Sequence, residues 1–378
     1  MPTYPTYKLG EILSYEQPTN YIVESTEYDD SYPTPVLTAG KSFILGYTNE
    51  TKGVYDKLPV IIFDDFTTAS QFVDFKFKVK SSAMKILSCN EEIADIKYMY
   101  YLMQITHIQS DTHKRYWISD YSKVPVSLPP LPTQRAIVTR IETLFAELDK
   151  AVQHLRTAQQ QLKTYRQAVL KAAFEECDSY EKITNCFDVT GGLTKNSQRE
   201  KFPIKMPYLR VANVYYNRLD LSEIKEIGVQ ESEIEDKLLK KDDLLFVEGN
   251  GSKEQIGRVA IWNGSIENCL HQNHIIKGRP LGTMLSKFAL YYFISDFGRE
   301  QILKVASSTS GLYTLSTEKV RNLKVPSCSL TEQQRIVNEI ESCLSQATAS
   351  ETYIENALQQ AEALRQSILK KAFSGELV

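Results

Sequence analysis

Apolar residues recur at every seventh position in two long stretches of this chain, and the rest of the sequence is arranged around them. Between Leu131 and Phe174, Ile141, Leu148, Leu155, Leu162 and Val169 form one series. Ile137, Leu144, Ala151, Ala158, Tyr165 and Ala172 fill the positions between. A heptad seam of this kind predicts a helix wound against a partner helix. Between Leu330 and Phe373 the seam is Ile340, Ala347, Ile354, Ala361 and Ile368, with Ile336, Cys343, Ser350, Ala357 and Leu364 between. It is thinner, with Ala where the first seam carries Leu. Both stretches are rich in Ala, Gln, Leu, Lys and Glu, contain no Gly, and have Pro132 as their single Pro, a composition that favours helix throughout. A helix of about 40 residues is ~60 Å long.

The two stretches are copies of one another. Overlaid without a gap, Gln134, Ile137, Val138, Ile141 and Glu142 recur as Gln333, Ile336, Val337, Ile340 and Glu341. At the far end Arg166, Gln167, Leu170, Lys171, Ala173 and Phe174 recur as Arg365, Gln366, Leu369, Lys370, Ala372 and Phe373. A repeat of this length governs how the whole sequence is read. The simplest partner for each helix is the other, and a two-fold relation between equivalent halves predicts an antiparallel pair with a globule at each end.

Period-two patterns take over outside the helices. In the first globule Val60–Phe63 and Phe72–Val79 predict strands, with turn residues at Asp64-Asp65 and Pro33-Thr34-Pro35. Glu91–Ile108 predicts a helix with Ile93, Ile96, Tyr100 and Met103 near one face. In the second globule Leu244–Val247, Arg258–Trp262 and His274–Ile276 predict strands, and Leu285–Phe297 a helix. Tyr7-Lys8-Leu9 is echoed by Glu181-Lys182-Ile183, and Ile118-Ser119 is set against Leu315-Ser316. The second half carries about 25 more residues before its helix than the first. Pro-rich extended leads, Val124–Pro132 and Val325-Pro326, enter the two helices. The organisation expected is residues 1–128 as the first globule, 129–178 as the first long helix, 179–328 as the second globule and 329–378 as the second long helix.

Composition narrows the function. At 378 residues, net charge −3 and pI about 6.1, the chain is no bulk-basic coat for nucleic acid, so any DNA contact rests on local patches or on partners. Six scattered cysteines include no C-x-x-C pair, which points to free thiols in a reducing compartment. Met1-Pro2-Thr3-Tyr4-Pro5 lacks a basic region followed by an apolar one, and no apolar run of about 18 residues exists. A cytoplasmic chain is expected.

Catalytic motifs are incomplete. Ala39-Gly40-Lys41-Ser42 ends like a phosphate-binding loop, but Pro35 stands where that motif needs its first Gly. Asp65 with Asp74-Phe75-Lys76 imitates a nuclease site, although Asp74 and Lys76 also read as ordinary strand-face residues. His271 and His274 lack further ligands at metal spacing. Glu248-Gly249-Asn250-Gly251-Ser252 lacks the third Gly of a dinucleotide motif, and no Asn/Asp-Pro-Pro-aromatic sequence of an adenine methyltransferase is present.

This arrangement resembles the specificity (S) subunit of type I restriction-modification systems. The resemblance covers essentially the whole chain. It rests on Leu128-Pro129-Pro130-Leu131, on Gln334-Arg335-Ile336-Val337, on the ending Ile368–Val378, and on Leu270-His271-Gln272-Asn273-His274. It implies an α+β chain with two similar α/β target recognition domains held apart by two long antiparallel coiled-coil helices. Each domain would read one part of a split double-stranded DNA site. Two methyltransferase (modification) subunits would bind along the helices, and restriction subunits would supply translocation and cleavage. It also implies no cofactor in this chain, with S-adenosylmethionine, ATP and Mg on the partners.

DNA-binding candidates are the basic, polar and aromatic clusters. In the first globule they are Lys41, Ser81, Ser82, Lys85, His113, Lys114, Arg115 and Tyr116. In the second they are Arg210, Asn213, Asn250, Ser252, Lys253, His271, Gln272, Asn273, His274, Ser308, Ser310 and Tyr313. Loop cations suit phosphates, while paired Gln and Asn amides suit adenine edges. Two rival readings are a self-contained nuclease or methyltransferase, which the incomplete motifs disfavour, and a coiled-coil adaptor that binds proteins only.

Overall fold

A computed structural model describes residues 4–38, 42–106, 108, 115–250, 252–309 and 312–377. Both heptad stretches are continuous helices, Leu131–Glu175 and Leu330–Phe373. Pro132 lies in the first turn, where a missing N–H leaves no helical bond unmade. The chain divides into two compact units. One comprises residues 1–156 with 355–378, and the other residues 157–354. Each holds one globule with a segment of both long helices.

In the first unit the strands are β1 (Thr6–Lys8), β2 (Leu13–Glu16), β3 (Thr34–Leu37), β4 (Ile44–Thr48), β5 (Val60–Asp64), β6 (Ser70–Val73), β7 (Lys78–Val79), β8 (Met84–Cys89) and β9 (Pro125–Ser127). They form a four-stranded sheet, β2-β8-β5-β6, a three-stranded sheet, β4-β3-β7, and the pair β1-β9. In the three-stranded sheet β3 runs antiparallel to β4 and parallel to β7.

The second unit contains β10 (Tyr180–Lys182), β11 (Phe187–Gly191), β12 (Ile204–Leu209), β13 (Val214–Tyr215), β14 (Arg218–Leu219), β15 (Lys225–Val229) and β16 (Leu244–Val247). It continues with β17 (Gly249–Asn250), β18 (Val259–Ile261), β19 (Leu270–His271), β20 (Ile275–Pro280), β21 (Ser307–Thr309), β22 (Leu312–Thr314) and β23 (Lys324–Pro326). Its sheets β11-β20-β16-β18 and β15-β12-β19 and its pair β10-β23 repeat the first unit strand for strand. The parallel strand pair recurs as well, β12 with β19. The hairpin β13-β14 and the sheet β17-β22-β21 have no counterpart among the described residues of the first unit.

The central strand explains the layering. Successive side chains of a strand point to opposite faces. In β5, Ile61 and Phe63 join the core beneath the helices, while Val60 and Ile62 join the core beneath the smaller sheet. In β16, Leu244 and Phe246 take the first role, Leu245 and Val247 the second. Burial on both faces is why these strands read as unbroken apolar runs.

Each globule is fastened to a long helix by a duplicated latch. The buried Gln134 accepts the Asp95 N–H at 2.8 Å through Oε1, and its Nε2 donates to the carbonyls of Ile93 and Pro129 at 2.8 and 2.7 Å. Gln333 accepts the Leu285 N–H at 2.8 Å and donates to the carbonyls of Thr283 and Cys328 at 3.3 and 2.9 Å. Asp95 and Leu285 are the N-caps of the helices Ile96–Ile105 and Ser286–Ile294. Lys97 reaches Glu142 at 2.6 Å and Lys287 reaches Glu341 at 2.5 Å beside the two latches.

The long helices run antiparallel within each unit. In the first, Asp149 pairs with Arg365, while Ile137, Val138, Ile141 and Phe145 share a core with Ile368, Leu369 and Ala372. In the second, Arg166 bonds Thr348 and Glu351 at 2.8 and 2.7 Å, while Leu170 and Phe174 share a core with Ile336, Val337 and Ile340.

Several elements differ from the sequence expectation. The seam is buried at Ile141, Ile340, Ala347, Ile354 and Ile368, but Tyr165 and Leu364 are 41% and 50% exposed. A 3.6-residue period drifts away from a strict seven-residue repeat, so Arg166 and Arg365 also enter the contact, and Tyr165 meets Cys343 of the other helix from the edge of the seam. The run Phe72–Val79 is split, with β6 in one sheet and β7 in the other. The helix expected over Glu91–Ile108 is Ile96–Ile105, because Asp95 caps it by accepting the N–H groups of Lys97 and Tyr98. The helix expected over Leu285–Phe297 ends at Ile294, and Ser295 caps a new one, Asp296–Val305. That junction requires Gly298, where a Cβ would stand 2.2 Å from the Tyr292 carbonyl oxygen.

Candidate nucleic-acid interface

Some of the polar candidates of each globule are gathered by one arrangement, built twice. The residue after the central strand is its centre, Asp65 after β5 and Glu248 after β16. The Asp65 N–H donates to the Ala83 carbonyl at 3.2 Å, and its carbonyl accepts the Tyr116 N–H at 2.8 Å. The Glu248 N–H donates to the His274 carbonyl at 2.9 Å, and its carbonyl accepts the Leu315 N–H at 2.6 Å. The loop between β7 and β8 therefore corresponds to the loop between β19 and β20, and Tyr116 corresponds to Leu315. This corrects the match of Ile118-Ser119 with Leu315-Ser316 by two residues.

The other side of each loop is pinned alike. Lys80 donates its N–H to the Leu37 carbonyl at 2.9 Å, as Gln272 does to that of Leu209 at 2.9 Å. Val23 donates to the carbonyl of Val79 at 2.9 Å, as Leu193 does to that of His271 at 2.8 Å. The chain passes so close here that a Cβ on Gly192 would lie 2.3 Å from the His271 oxygen. Backbone bonds thus fix both loops and leave their side chains to vary.

Those side chains differ between the globules. In the first loop Ser81 and Ser82 are exposed, as is Arg115 on the neighbouring segment. In the second, Gln272 and Asn273 are half-buried, and their amides have no partner among the described residues. His274 is half-exposed, with Nδ1 2.8 Å from Glu248 Oε2. Glu248 leads directly into β17, where Asn250 lies opposite Tyr313, itself opposite Ser308. Asn250, Tyr313 and Ser308 thus form one row across three strands, joined to His274 through Glu248. Lys253 is exposed nearby in the chain, beyond Ser252.

Other candidates serve as supports. Lys85 is 1% exposed, lies 3.4 Å from Asp65 Oδ2 and sits over the Tyr15 ring at 4.9 Å. Asp65 Oδ1 accepts the Trp117 N–H at 2.8 Å. Both Asp65 oxygens are therefore engaged inside the domain, which removes this carboxylate from the nuclease-like pattern with Asp74. Tyr116 is buried. Asn213 is buried and donates to the carbonyls of Asp220 and Glu223 at 2.8 and 3.1 Å, and Arg210 pairs with Glu223 at 3.3 Å. These two brace the insertion that carries β13-β14. His271 is fully buried, with Nδ1 2.9 Å from the Ile275 carbonyl oxygen, and burial pushes its pKa down to about 3. Lys41, His113, Lys114 and Ser310 lie outside the described residues, as do the side chains of Asn250 and Ser308.

Sequence reasoning missed two features. The sequence sets Asp65 in a nuclease-like pattern and Glu248 in a glycine-rich turn, and only the fold reveals their shared position. An arginine–tyrosine cluster also escaped notice. Arg218 and Arg258 lie 4.5 and 5.0 Å from the Tyr215 ring centre, and Arg299 lies 5.1 Å from that of Tyr216. Desolvation pushes the pKa of Arg258 and Arg299 down. The run Tyr215-Tyr216-Asn217-Arg218 was the available signal.

Comparison with known proteins places this geometry. The family model for the type I restriction modification DNA specificity domain matches residues 1–155 and 180–360. The chain is 35% identical over 347 residues to the EcoR124I/EcoR124II specificity subunit of Escherichia coli, covering 87% of this chain and 84% of that one. It is 29% identical over 273 residues to the EcoKI specificity subunit of Escherichia coli K12, covering 68% of this chain and 59% of the relative's length. Among solved structures, a chain from a study of complex assembly and conformational transition of the type I R-M system superposes with a TM-score of 0.72 at 16% identity, covering 100% and 99% of the two chains. The HsdS subunit from Thermoanaerobacter tengcongensis superposes with a TM-score of 0.59 at 17% identity, covering 100% and 98%. With a two-copy fold, duplicated latches, duplicated loop anchorage and a family match over both halves, this chain belongs to the specificity subunits of type I restriction-modification systems.

Proposed function

We propose that this chain reads a two-part DNA site, one part per globule, and directs adenine methylation and restriction by partner subunits. As a specificity subunit it is the non-catalytic, sequence-recognising member of its system. The observation that carries the two-part reading is a single backbone arrangement built twice with different side chains. Lys80-Ser81-Ser82-Ala83 occupies it in the first globule and Gln272-Asn273-His274 in the second. Equal scaffolds with unequal readers suit two different half-sites. The Gln272 and Asn273 amides, without a partner among the described residues, have the donor–acceptor pair that matches an adenine edge, and exposed Arg115 suits a phosphate.

The partners complete the complex. A net charge of −3 supports phosphate contact being shared with other subunits. Tyr353 is 73% exposed on the second long helix, and Tyr165 and Leu364 are exposed on their helices, which supports cover by other chains. We assign that cover to two modification subunits, with restriction subunits joining them. S-adenosylmethionine, ATP and Mg belong to those subunits. The test is co-expression with the methyltransferase subunits followed by mapping of methylated adenines. A two-part recognition sequence is expected. Methylation without sequence preference, or a single uninterrupted site, would overturn the reading.

A further inference from the structure

We infer that the acidic residue after the central strand is the positioning residue for each globule's reading loop: Asp65 for the first half-site and Glu248 for the second. This rests on the two-part reading above. Asp65 and Glu248 hold equivalent backbone positions, and each ties its reading loop to the segment returning toward the long helix. Their side chains then act differently. The Asp65 carboxylate is enclosed and holds Lys85, two residues past the loop. The Glu248 carboxylate instead holds a loop residue itself, His274.

A carboxylate only accepts hydrogen bonds, so the proton of the His274–Glu248 contact sits on Nδ1. Nε2 is then the ring nitrogen left for a ligand, and among the described residues it has no partner. His274 follows the amides of Gln272 and Asn273 in one loop. The ligand class is a nucleobase edge in the major groove, where donors and acceptors are both displayed. Glu248 acts on that base only through His274.

The experiment uses the full complex with co-expressed methyltransferase subunits and scores base preference in each half of the methylated site. Glu248→Ala is expected to lower discrimination about tenfold at a position in the half read by the second globule, leaving the other half unchanged. Glu248→Gln keeps an acceptor for Nδ1 and is expected to restore most of that preference. His274→Ala is expected to reproduce the Glu248→Ala change, and the double variant to add nothing to it. In the first globule the double variant Asp65→Asn, Lys85→Met avoids stranding a buried charge and is expected to alter only the other half. Relaxation of both halves by one variant, additive effects of Glu248→Ala and His274→Ala, or unaltered preference in all variants would overturn the inference. Loss of any two-part site in the unaltered complex would instead strike the function proposed above.

Discussion

Single side chains divide here into those proposed to read DNA and those that hold the fold. Gln134 and Gln333 hold. Removing either amide leaves a buried N–H and two buried carbonyls without their partner, at roughly 1–3 kcal/mol for each unsatisfied group. Gln333→Ala should lower unfolding stability by about 2–4 kcal/mol in a denaturant titration, and a loss below 0.5 kcal/mol would contradict the latch. The repeat made both glutamines visible in the sequence, but their partners inside the globules lie about 40–50 residues away in the chain and follow no local period. His271 was chosen for its chemistry and proves to be a holding residue. Its pKa falls from 6.5 to about 3 on burial. Above pH 6.5 neither folded nor unfolded chain binds that proton. Between pH 6.5 and 3 only the unfolded chain does, so stability falls on acidification by about 1.4 kcal/mol per pH unit from this group. His271→Leu should remove that increment from the acid slope of stability. An unchanged slope would refute neutral burial.

At the scale of elements, the long helices were legible almost to the residue, and the short strands less so. Heptad spacing, helix-forming composition and Pro-rich leads all agreed at the helix boundaries. The run Phe72–Val79 alternates well and still changes sheets midway, because alternation reports burial and not which neighbour a strand joins. The helices also show what a heptad leaves open. Ile141 is fully buried while Leu364, equally well placed in its series, is half exposed. Ile141→Ala should cost about 2–4 kcal/mol and Leu364→Ala less than about 0.5 kcal/mol. Denaturant unfolding of the two variants distinguishes this pattern from a uniformly buried seam, which would make the costs comparable.

For the molecule as a whole, duplication is the organising fact, and its function follows from what was kept and what was changed. Strand order, parallel pairing, latches and loop anchorage are kept in both units. The loop side chains are changed. Chemistry alone had picked Ser81 and Ser82 in one half and Gln272 and Asn273 in the other. Their structural equivalence was hidden because the loops share no sequence and differ in length. The central claim is that each globule reads its own half of the DNA site. It is tested most directly by replacing residues 180–328 with the matching domain of a relative, co-expressing the hybrid with the methyltransferase subunits, and sequencing the methylated sites. The expected result is a new sequence in one half of the site and the original sequence in the other. A change in both halves would contradict the account.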